Sequence, residues 1–359
     1  MSPGSESRFN LEKVVRPNVL NLEPYHSARE KVLEGVLLDA NENPYRKEWE
    51  GVCLNRYPDP FQRELRRALA DNLGVGMESI AAGVGSDEVL EWIFKVFCQP
   101  GVDSAVTAEP TYGMYQVTAG VFGVDCHCFP LNSAFNFDAR AFLSTAPESA
   151  KVLFLCSPNN PTGNLLDREQ IRIVCREWPR IVVVDEAYID FADGGSVLTD
   201  LPRFPNLIIL RTFSKGYGRA AVRLGFAITS SDIIKLFLKV KTPYNLSALT
   251  MHLGCLALAD RASREENIRS IRVERDRISS ELRKLSGVVE VFPSDANFIL
   301  FRCREASSVV NRLFEKGIVV RDRSSVPGLA DCIRVSVGTP AENALFLEEL
   351  RKLVGGNRT

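Results

Sequence analysis

The sequence predicts an α/β protein in which a mostly parallel β-sheet lies between helices and is followed by a smaller α+β domain. Short apolar runs alternate with amphipathic helical patterns over most of the chain. These runs are nearly uninterrupted by polar residues, as expected for strands buried on both faces of a parallel sheet. Beyond residue 285 the pattern changes to short strands around one helix, and a terminal helix follows. This change indicates a second structural unit.

Composition and charge exclude several classes of partner. The chain has 359 residues, and its 44 Lys and Arg residues balance 45 Asp and Glu residues. Such a balance provides no basic field for nucleic acid or for an anionic membrane. No apolar run is long enough for a membrane span. The first residues lack the apolar core of a signal peptide, so we expect a cytoplasmic protein.

The nine cysteines form no CxxC pair, and most of them lie inside apolar runs. This usage is typical of reduced core cysteines. The one tight cluster is Cys126-His127-Cys128, and the whole chain has only three histidines. We therefore expect no metal site.

The predicted helices combine an N-cap residue with helical periodicity. They cover residues 59–74, 86–97 and 167–178, with Asp59, Ser86 and Asp167 as the expected caps, and a longer helical region spans about 246–285. The predicted strands of the large sheet are 151–156, 180–187, 206–210 and 225–229. In the second unit, strands are expected at 288–292, 297–302, 318–322 and 332–338, with helices at 306–316 and from Pro340.

Chemically active residue types follow the strands. SPNNPTG (157–163), DEAYIDF (185–191) and RTFSKGYG (211–218) each come at the end of a predicted strand, and GVGSDE (83–88) opens a helix. In open α/β sheets, ligands bind beyond the carboxyl ends of the strands. A glycine-rich helix start binds anions through free backbone N–H groups. Together these segments fit a phosphorylated, electron-poor heterocycle joined to a lysine, which describes pyridoxal 5'-phosphate.

The chemistry of that cofactor assigns a role to each residue type. Lys215 would form the Schiff base with the cofactor aldehyde, and Asp185 would keep the pyridine nitrogen protonated. Asn160 and Tyr188 would hydrogen-bond the phenolic oxygen of the ring. After substrate displaces it, Lys215 is free to shuttle a proton at Cα.

The remaining cofactor contacts concern the phosphate and the ring face. Ser214 and Arg223 would bind the phosphate together with Ser86 and the backbone around Gly85. Tyr112, in EPTYGMY, would stack on the ring. Each of these residues alone is better explained as a cap, a turn, a core residue or an exposed side chain. Their joint occurrence at successive strand ends favours a cofactor site.

The segments SPNNPTG, VVVDEAYIDF and RTFSKGYGRAAVRLGF resemble the signatures of fold type I pyridoxal-phosphate enzymes, the aspartate-aminotransferase-like superfamily. LLDANENPY, NRYPDP, PTYGMY and CIRVSVGTPAEN resemble the histidinol-phosphate aminotransferase family within it. The resemblance runs nearly end to end, and it implies a seven-stranded large sheet. It also implies transamination between L-histidinol phosphate and 2-oxoglutarate in histidine biosynthesis.

The resemblance assigns further site residues. Arg334 and Arg321 match arginines that bind the carboxylate or phosphate of the substrates, and Tyr25 and Asn41 match the part that closes over substrate. Tyr57 matches a tyrosine that reaches the cofactor phosphate of a neighbouring subunit, which implies a homodimer with shared sites. The expected cofactor-binding set is Tyr57, Gly85, Ser86, Asp87, Tyr112, Asn160, Asp185, Tyr188, Ser214, Lys215 and Arg223, and the expected catalytic residues are Lys215, Asp185 and Tyr188.

The expected organisation is an N-terminal arm (1–38) that contributes to the small domain or to dimer contacts, a large cofactor-binding domain (39–248) and a small domain (249–359). Where the family often has SKAFGLAGLR, this chain has SKGYGRAAVR, so Arg219 replaces an apolar residue and Ala221 a glycine.

Three other functions remain open from the sequence. L-threonine-O-3-phosphate decarboxylases share the scaffold and the anion-binding arginines, and aromatic-amino-acid aminotransferases share the cofactor site. A non-catalytic cofactor-binding regulator is a third, although such proteins usually carry a DNA-binding domain. The DANENPY segment favours the histidinol-phosphate aminotransferase.

Overall fold

The computed structural model describes residues 9–30 and 34–355. Its α-helices are α1 (Leu11–Val14), α2 (Pro17–Leu20), α3 (Arg63–Leu73), α4 (Gly85–Phe97), α5 (Met114–Val121), α6 (Ala139–Thr145), α7 (Arg168–Glu177), α8 (Ser231–Val240), α9 (Ala248–Ala259), α10 (Arg261–Lys284), α11 (Ala306–Glu315) and α12 (Pro340–Val354). Its strands are β1 (Glu48–Trp49), β2 (Val52–Cys53), β3 (Ile80–Val84), β4 (Ser104–Glu109), β5 (Asp125–Pro130), β6 (Ala150–Cys156), β7 (Ile181–Asp185), β8 (Leu207–Thr212), β9 (Leu224–Ile228), β10 (Val288–Val291), β11 (Phe298–Cys303), β12 (Arg321–Asp322) and β13 (Cys332–Ser336). Short 3₁₀ turns cover Ala28–Glu30, Met77–Ser79, Ile189–Phe191, Leu198–Arg203 and Ala220–Val222.

The large sheet has seven strands in the order β3-β9-β8-β7-β6-β4-β5. Only β9 runs antiparallel to its neighbours. The carboxyl ends of the central strands are in register, since Cys156 pairs with Asp185 and Asp185 pairs with Leu210. This register brings the residues that follow β6, β7 and β8 to the same edge of the sheet. The predicted mostly parallel seven-stranded sheet is confirmed.

Successive side chains of a strand point to opposite faces of the sheet. The continuous apolar runs therefore make both faces of this sheet apolar. Val152 and Phe154 belong to a core cluster with α4, α5 and α8. Leu153 and Leu155, in the same strand, belong to a second cluster with α3, α7 and α9. The continuous apolar runs in the sequence therefore reflect burial on both faces.

Two helix starts differ from the prediction. Helix α3 begins at Arg63 rather than near Asp59, after Gln62 in a left-handed conformation. Asp59 still binds the helix start, because its Oδ2 accepts a hydrogen bond from the Arg63 N–H at 2.8 Å. Helix α4 begins at Gly85, so Ser86 lies inside the first turn and is not the cap.

The smaller sheet has four strands in the order β10-β11-β13-β12. One face carries Ile299, Phe301, Ile333 and Val335, which pack in a core cluster with α10, α11 and α12. The other face carries Phe298 and Leu300, which lie in clusters with residues of the large domain. The strand expected at 318–322 is shorter than predicted and includes only Arg321–Asp322. The proposed domain boundaries stay a prediction.

The described part of the predicted N-terminal arm packs on the large domain. Val14 and Val19 are buried in the cluster formed with α4 and α8, and an Arg16 guanidinium N–H donates to the Lys95 carbonyl at 3.0 Å. The apolar side chains of α1 and α2 fit against the outer helices of the large sheet. The expected contribution of the arm to the small domain or to dimer contacts stays a prediction. Residues 1–8 and 31–33 of the arm lie outside the described residues.

All nine cysteines are free, and five of them are buried. Within residues 9–30 and 34–355, no cluster of three or more His, Cys, Asp or Glu side chains could hold a metal ion. In the same part of the chain, no helix combines the length and the apolar character needed to cross a bilayer.

Candidate active site

A cavity of about 230 Å³ lies at the carboxyl ends of β6, β7 and β8, beside the start of α4. Nine of the residues predicted from the sequence line it: Ser86, Asp87, Tyr112, Asn160, Asp185, Tyr188, Ser214, Lys215 and Arg223. Cys156, Ala187, Thr212 and Ala220 complete the lining. The fold therefore gathers residues that are separated by up to 137 positions in sequence into one pocket.

Asp185 is the last residue of β7 and is buried. Its Oδ2 accepts a hydrogen bond from the Tyr115 hydroxyl at 2.7 Å, and its Oδ1 accepts one from the Ala187 N–H at 3.0 Å. Burial raises the pKa of the Asp185 carboxyl to about 6, while these two donors act to lower it. The carboxyl is thus ionised at neutral pH and is aimed at the cavity floor.

Lys215 follows β8 and is partly buried. Its Nζ lies 5.6 Å from the centroid of the Tyr188 ring. Burial lowers the pKa of the Lys215 amine, and the nearby cations Arg334 and Arg223 lower it further, against the opposing effect of Asp185. A lysine in this environment is more readily neutral, and therefore nucleophilic, than an exposed one.

Asn160 and Tyr188 lie side by side on the wall next to Lys215. The Asn160 Nδ2 is 3.5 Å from the Tyr188 hydroxyl, and Asn160 Oδ1 accepts a hydrogen bond from the Arg334 guanidinium. Burial raises the pKa of the Tyr188 phenol. Tyr188 thus remains a hydrogen-bond donor at neutral pH.

The opposite end of the cavity is cationic and rich in free donors. The Arg223 Nη1 lies 3.4 Å from Ser214 Oγ, and its Nη2 lies 3.3 Å from Asp87 Oδ2. Gly85 has a φ of +71°, and a Cβ there would lie 2.7 Å from Arg223 Nη2. Glycine is therefore favoured by the backbone turn, whereas the guanidinium end of Arg223 could shift to make room for a Cβ.

Glu88 anchors the start of α4 at this end. Its Oε2 accepts hydrogen bonds from the Val84 N–H at 2.6 Å and from Asn245 Nδ2 at 2.9 Å. The Asn245 Oδ1 in turn accepts from Gln62 Nε2 at 2.7 Å. The Gly85 N–H donates to the Arg223 carbonyl at 2.8 Å, and Ser86 and Asp87 of the first turn line the cavity. The positive end of the helix dipole at this point favours an anion.

Tyr112 forms the remaining wall and packs edge to face with Tyr115, with ring centroids 5.5 Å apart. Its hydroxyl lies 3.5 Å from Asp87 Oδ1. Burial and the nearby Asp87 raise the pKa of the Tyr112 phenol to about 12. Its ring is available to a flat ligand in the cavity.

The two predicted substrate arginines lie on paired strands of the small sheet. Arg321 and Arg334 are directly opposite each other in the β12–β13 ladder. The Arg334 Cζ lies 5.3 Å from the centroid of the Phe298 ring, and Arg334 also contacts Asn160 at the cavity wall. Arg321 is exposed.

Tyr25, Asn41 and Tyr57, like Gly85, Arg321 and Arg334, are not among the residues that line the cavity in the single chain. Tyr25 is 74% exposed and Tyr57 is 50% exposed, the latter with its ring stacked on Tyr244 at 4.4 Å. Asn41 has a φ of +53° in an irregular segment. Their assignment to a site stays a prediction.

Sequence reasoning missed Tyr115 and Arg323. Tyr115 is fully buried and stacked on Phe154, so in the sequence it is indistinguishable from a core aromatic. The sequence offers one signal for Tyr115. It follows Tyr112 by three residues, a spacing that places two side chains on the same face of a helix. Arg323 lies two residues after Arg321, and its orientation depends on the pairing of a very short strand.

The chain is similar to known proteins over nearly its whole length. The family model of the class I and II aminotransferases matches residues 23–350. The histidinol-phosphate aminotransferase of Parabacteroides distasonis is 45% identical over 346 residues, which cover 96% of this chain and 99% of that protein.

Two solved structures have the same fold over most of both chains. The histidinol-phosphate aminotransferase of Sinorhizobium meliloti, in complex with pyridoxal-5'-phosphate, is 28% identical with a TM-score of 0.75, covering 83% of each chain. The L-threonine-O-3-phosphate decarboxylase of Porphyromonas gingivalis is 26% identical with a TM-score of 0.72, covering 84% of this chain and 91% of that one. With its fold, its cavity and a match over nearly its whole length, the chain belongs to the class I and II aminotransferase family, among relatives that are histidinol-phosphate aminotransferases.

Proposed function

We propose that this chain is a pyridoxal-phosphate-dependent aminotransferase that moves an amino group between L-histidinol phosphate and 2-oxoglutarate. The observation that carries the proposal is the cavity that Lys215 and the buried Asp185 both line, next to the start of α4 and Arg223. The 45% identity to a histidinol-phosphate aminotransferase over 96% of the chain supports the choice of substrates.

The residues present fit the cofactor. The end of the cavity at the start of α4, where Ser86, Ser214 and Arg223 lie, suits a phosphate. The buried Asp185 carboxylate has only two neutral donors, so it suits a protonated ring nitrogen.

The opposite wall suits the ring oxygen and the aldehyde. Asn160 and Tyr188 provide donors for a phenolic oxygen, and Lys215 would bind the aldehyde covalently. Lys215 Nζ has no hydrogen bond or ion pair within the described residues, which leaves it free for that role.

The residues around the substrate then handle one proton. When bound, pyridoxal phosphate supplies an electron sink for the electron pair left as a bond at Cα breaks. Lys215 Nζ, with its lowered pKa, would take the proton from the Cα of the amino donor and, in the second half-reaction, deliver a proton to the Cα of the amino acceptor. Arg334 binds the anionic group of either substrate, because a planar guanidinium fits both carboxylate and phosphate oxygens.

We also propose that the active unit is a homodimer. The described segment from residue 34 to 58 exposes apolar side chains, among them Val36 (90% exposed), Leu38 and Tyr45. Helix α9 is apolar nearly all round, yet Leu256 is half exposed. Tyr57 lies in this segment outside its own cavity, which is consistent with a contact to the phosphate end of a partner's cavity.

The decisive experiment follows both half-reactions in the purified protein. L-Histidinol phosphate added alone should abolish the visible absorption band of the bound cofactor, and 2-oxoglutarate should restore it with formation of L-glutamate. Lys215→Ala should remain folded and lose turnover. Near-normal turnover in that variant would refute the site assignment.

The same assay tests the decarboxylase alternative, since the two activities break different bonds at Cα. Release of CO2 from L-threonine O-3-phosphate, without any response to histidinol phosphate, would replace the proposed function. Which bond is broken depends on the orientation of the substrate in the cavity.

A further inference from the structure

Three arginines lie on one face of the small sheet, the face turned toward the cavity. Arg321 pairs directly with Arg334, and the Arg323 N–H donates to the Cys332 carbonyl at 2.8 Å, which extends the ladder by one pair. Since side chains alternate along a strand, Arg321 and Arg323 point to the same face as Arg334. The intervening Ile333 points instead into the helix-covered core.

No carboxylate forms a salt bridge with this group within the described residues, although the nearby Asp322 acts to raise the pKa of Arg323, which burial lowers. None of the three arginines forms a salt bridge there, and one guanidinium N–H of Arg334 donates to the side-chain oxygen of Asn160. Asp322, the nearest carboxyl in sequence, accepts hydrogen bonds from Ser307 Oγ and the Ser324 N–H.

Arg323 is the member of this group with the clearest unmet bonding capacity. Its Nε is buried and has no hydrogen-bond partner within the described residues. Burial lowers the pKa of Arg323, and the neighbouring Arg321 lowers it further. Burial and the Arg323 guanidinium have the same effect on the pKa of Arg334, so the two cations are close. Arginines remain charged under such shifts, and an unpaired buried donor is costly.

We propose that Arg323 is a specificity-determining residue that binds the phosphate group of the substrate and favours it over a carboxylate. The inference rests on the proposed function, and it assigns a role within the same site. A carboxylate has one charge and two oxygens, which a single guanidinium fork satisfies. A phosphate monoester has a charge of about −1.5 to −2 at pH 7 and three acceptor oxygens, so an additional cation contributes more to its binding.

The test compares two inert ligands that differ in the anion. Imidazolylethyl phosphate and imidazolepropionate share the ring and lack the amine, so neither can react. Their dissociation constants are measured by calorimetry on the cofactor-loaded wild-type protein, on Arg323→Gln and on Arg323→Lys. Arg312→Gln, on the exposed face of α11, is the matched control.

We expect Arg323→Gln to weaken phosphate binding by about tenfold to a hundredfold, as for the loss of a charged hydrogen bond. Carboxylate binding should weaken by less than about threefold. Arg323→Lys should retain most of the preference because it retains the charge, and Arg312→Gln should behave as wild type. Equal losses for the two ligands, or no loss, would overturn the inference.

The experiment distinguishes a failure of the role of Arg323 from a failure of the proposed function. If wild-type protein transaminates histidinol phosphate while Arg323→Gln keeps the wild-type ratio of the two dissociation constants, only the role of Arg323 fails. If wild-type protein shows no such turnover and no preference for the phosphate ligand, both fail.

Discussion

At the scale of single residues, Asp185 combines a functional role with a cost in stability. Its pKa of about 6 in the folded protein, against 3.8 for an ordinary carboxyl, means that the folded state holds the proton more tightly than the unfolded chain. Below pH 4 the carboxyl is protonated in both states and costs nothing. The cost grows between pH 4 and 6, and above pH 6 it is fully present, on the order of 3 kcal/mol.

Asp185→Asn should therefore stabilise the cofactor-free protein at pH 7.5 by up to about 3 kcal/mol, while abolishing cofactor-dependent turnover. The amide can accept from the Ala187 N–H and donate to the Tyr115 oxygen, so the local structure is retained. Urea unfolding at pH 7.5 and at pH 4 measures the effect, which should vanish at the lower pH. Asp232→Asn, on the exposed face of α8, is the control; equal stability of Asp185→Asn and wild type at pH 7.5 would contradict the argument.

Tyr115→Phe tests the hydrogen bond that holds Asp185. Without this donor the ionised carboxylate is less stable, so the pKa of Asp185 should rise above its present value of about 6. The affinity of the free protein for the cofactor, measured against pH, should then begin to fall at a higher pH than in wild type. At pH 8.5 the two proteins should differ little.

Tyr112→Phe is the matched control for that experiment. Its hydroxyl lies near Asp87 rather than Asp185, and the other carboxyls that raise the pKa of Asp185, Asp87 and Glu186, remain in place. The pH at which the cofactor affinity begins to fall is compared in the two variants. If this pH is unchanged in Tyr115→Phe, or shifts equally in Tyr112→Phe, Tyr115 has no specific effect on Asp185.

At the scale of elements, the start of α4 shows why caps are hard to assign from sequence. Ser86 is a good N-cap residue, yet the helix begins one residue earlier, because Glu88 binds the Val84 N–H. Glu88 is fixed by Asn245, which lies more than 150 residues away in the chain. The existence of the helix follows from local periodicity, whereas its first residue depends on this distant contact.

Lys241, which follows α8, fixes the segment before α3. It is buried, and its ammonium donates to the carbonyls of Pro60 at 2.8 Å, Thr242 at 3.1 Å and Pro243 at 3.0 Å. This lysine thus joins the segment that carries Tyr57 to the large domain.

Lys241→Met should lower the free energy of unfolding by about 2 kcal/mol or more, because three carbonyl acceptors lose their donor. Hydrogen exchange should increase most in residues 57–63. Lys235→Met, which removes an exposed lysine of α8, should have little effect. Unchanged exchange in the 57–63 segment would exclude the proposed anchoring.

At the scale of the whole molecule, the cavity of the single chain is open at the end proposed to hold the phosphate. Asp87 and Arg223 are both about half exposed there. The 34–58 segment exposes apolar residues, although the large domain has a complete core without them. The proposed partner subunit would account for both features.

A mixture of two impaired variants tests this dimer. Lys215→Ala lacks the amine of its own cavity, and Tyr57→Phe lacks the hydroxyl proposed for the partner's cavity. Random exchange makes half of the dimers hybrids with one intact site each, so activity at limiting cofactor should recover to about a quarter of wild type. Activity equal only to the mean of the two parents would mean that Tyr57 does not act across an interface.

The sequence by itself determined the fold class and the main residues of the cavity. Apolar runs at strand length, alternating with helical stripes, require a covered parallel sheet, because only burial on both faces stabilises such strands. The register of parallel strands then brings the residues after β6, β7 and β8 together, which is why Asn160, Asp185 and Lys215 could be predicted from their positions alone.

Tertiary structure decided what depends on contacts between distant segments. The hydrogen bond of Tyr115 to Asp185, the anchoring of α4 through Asn245 and the packing of α1 and α2 on the large domain have no local pattern. The orientation of Arg323 depends on a two-residue strand, which is too short to show a period. In each case the interaction energy comes from residues far apart in the chain, and their approach is known only once the sheet and its helices have packed.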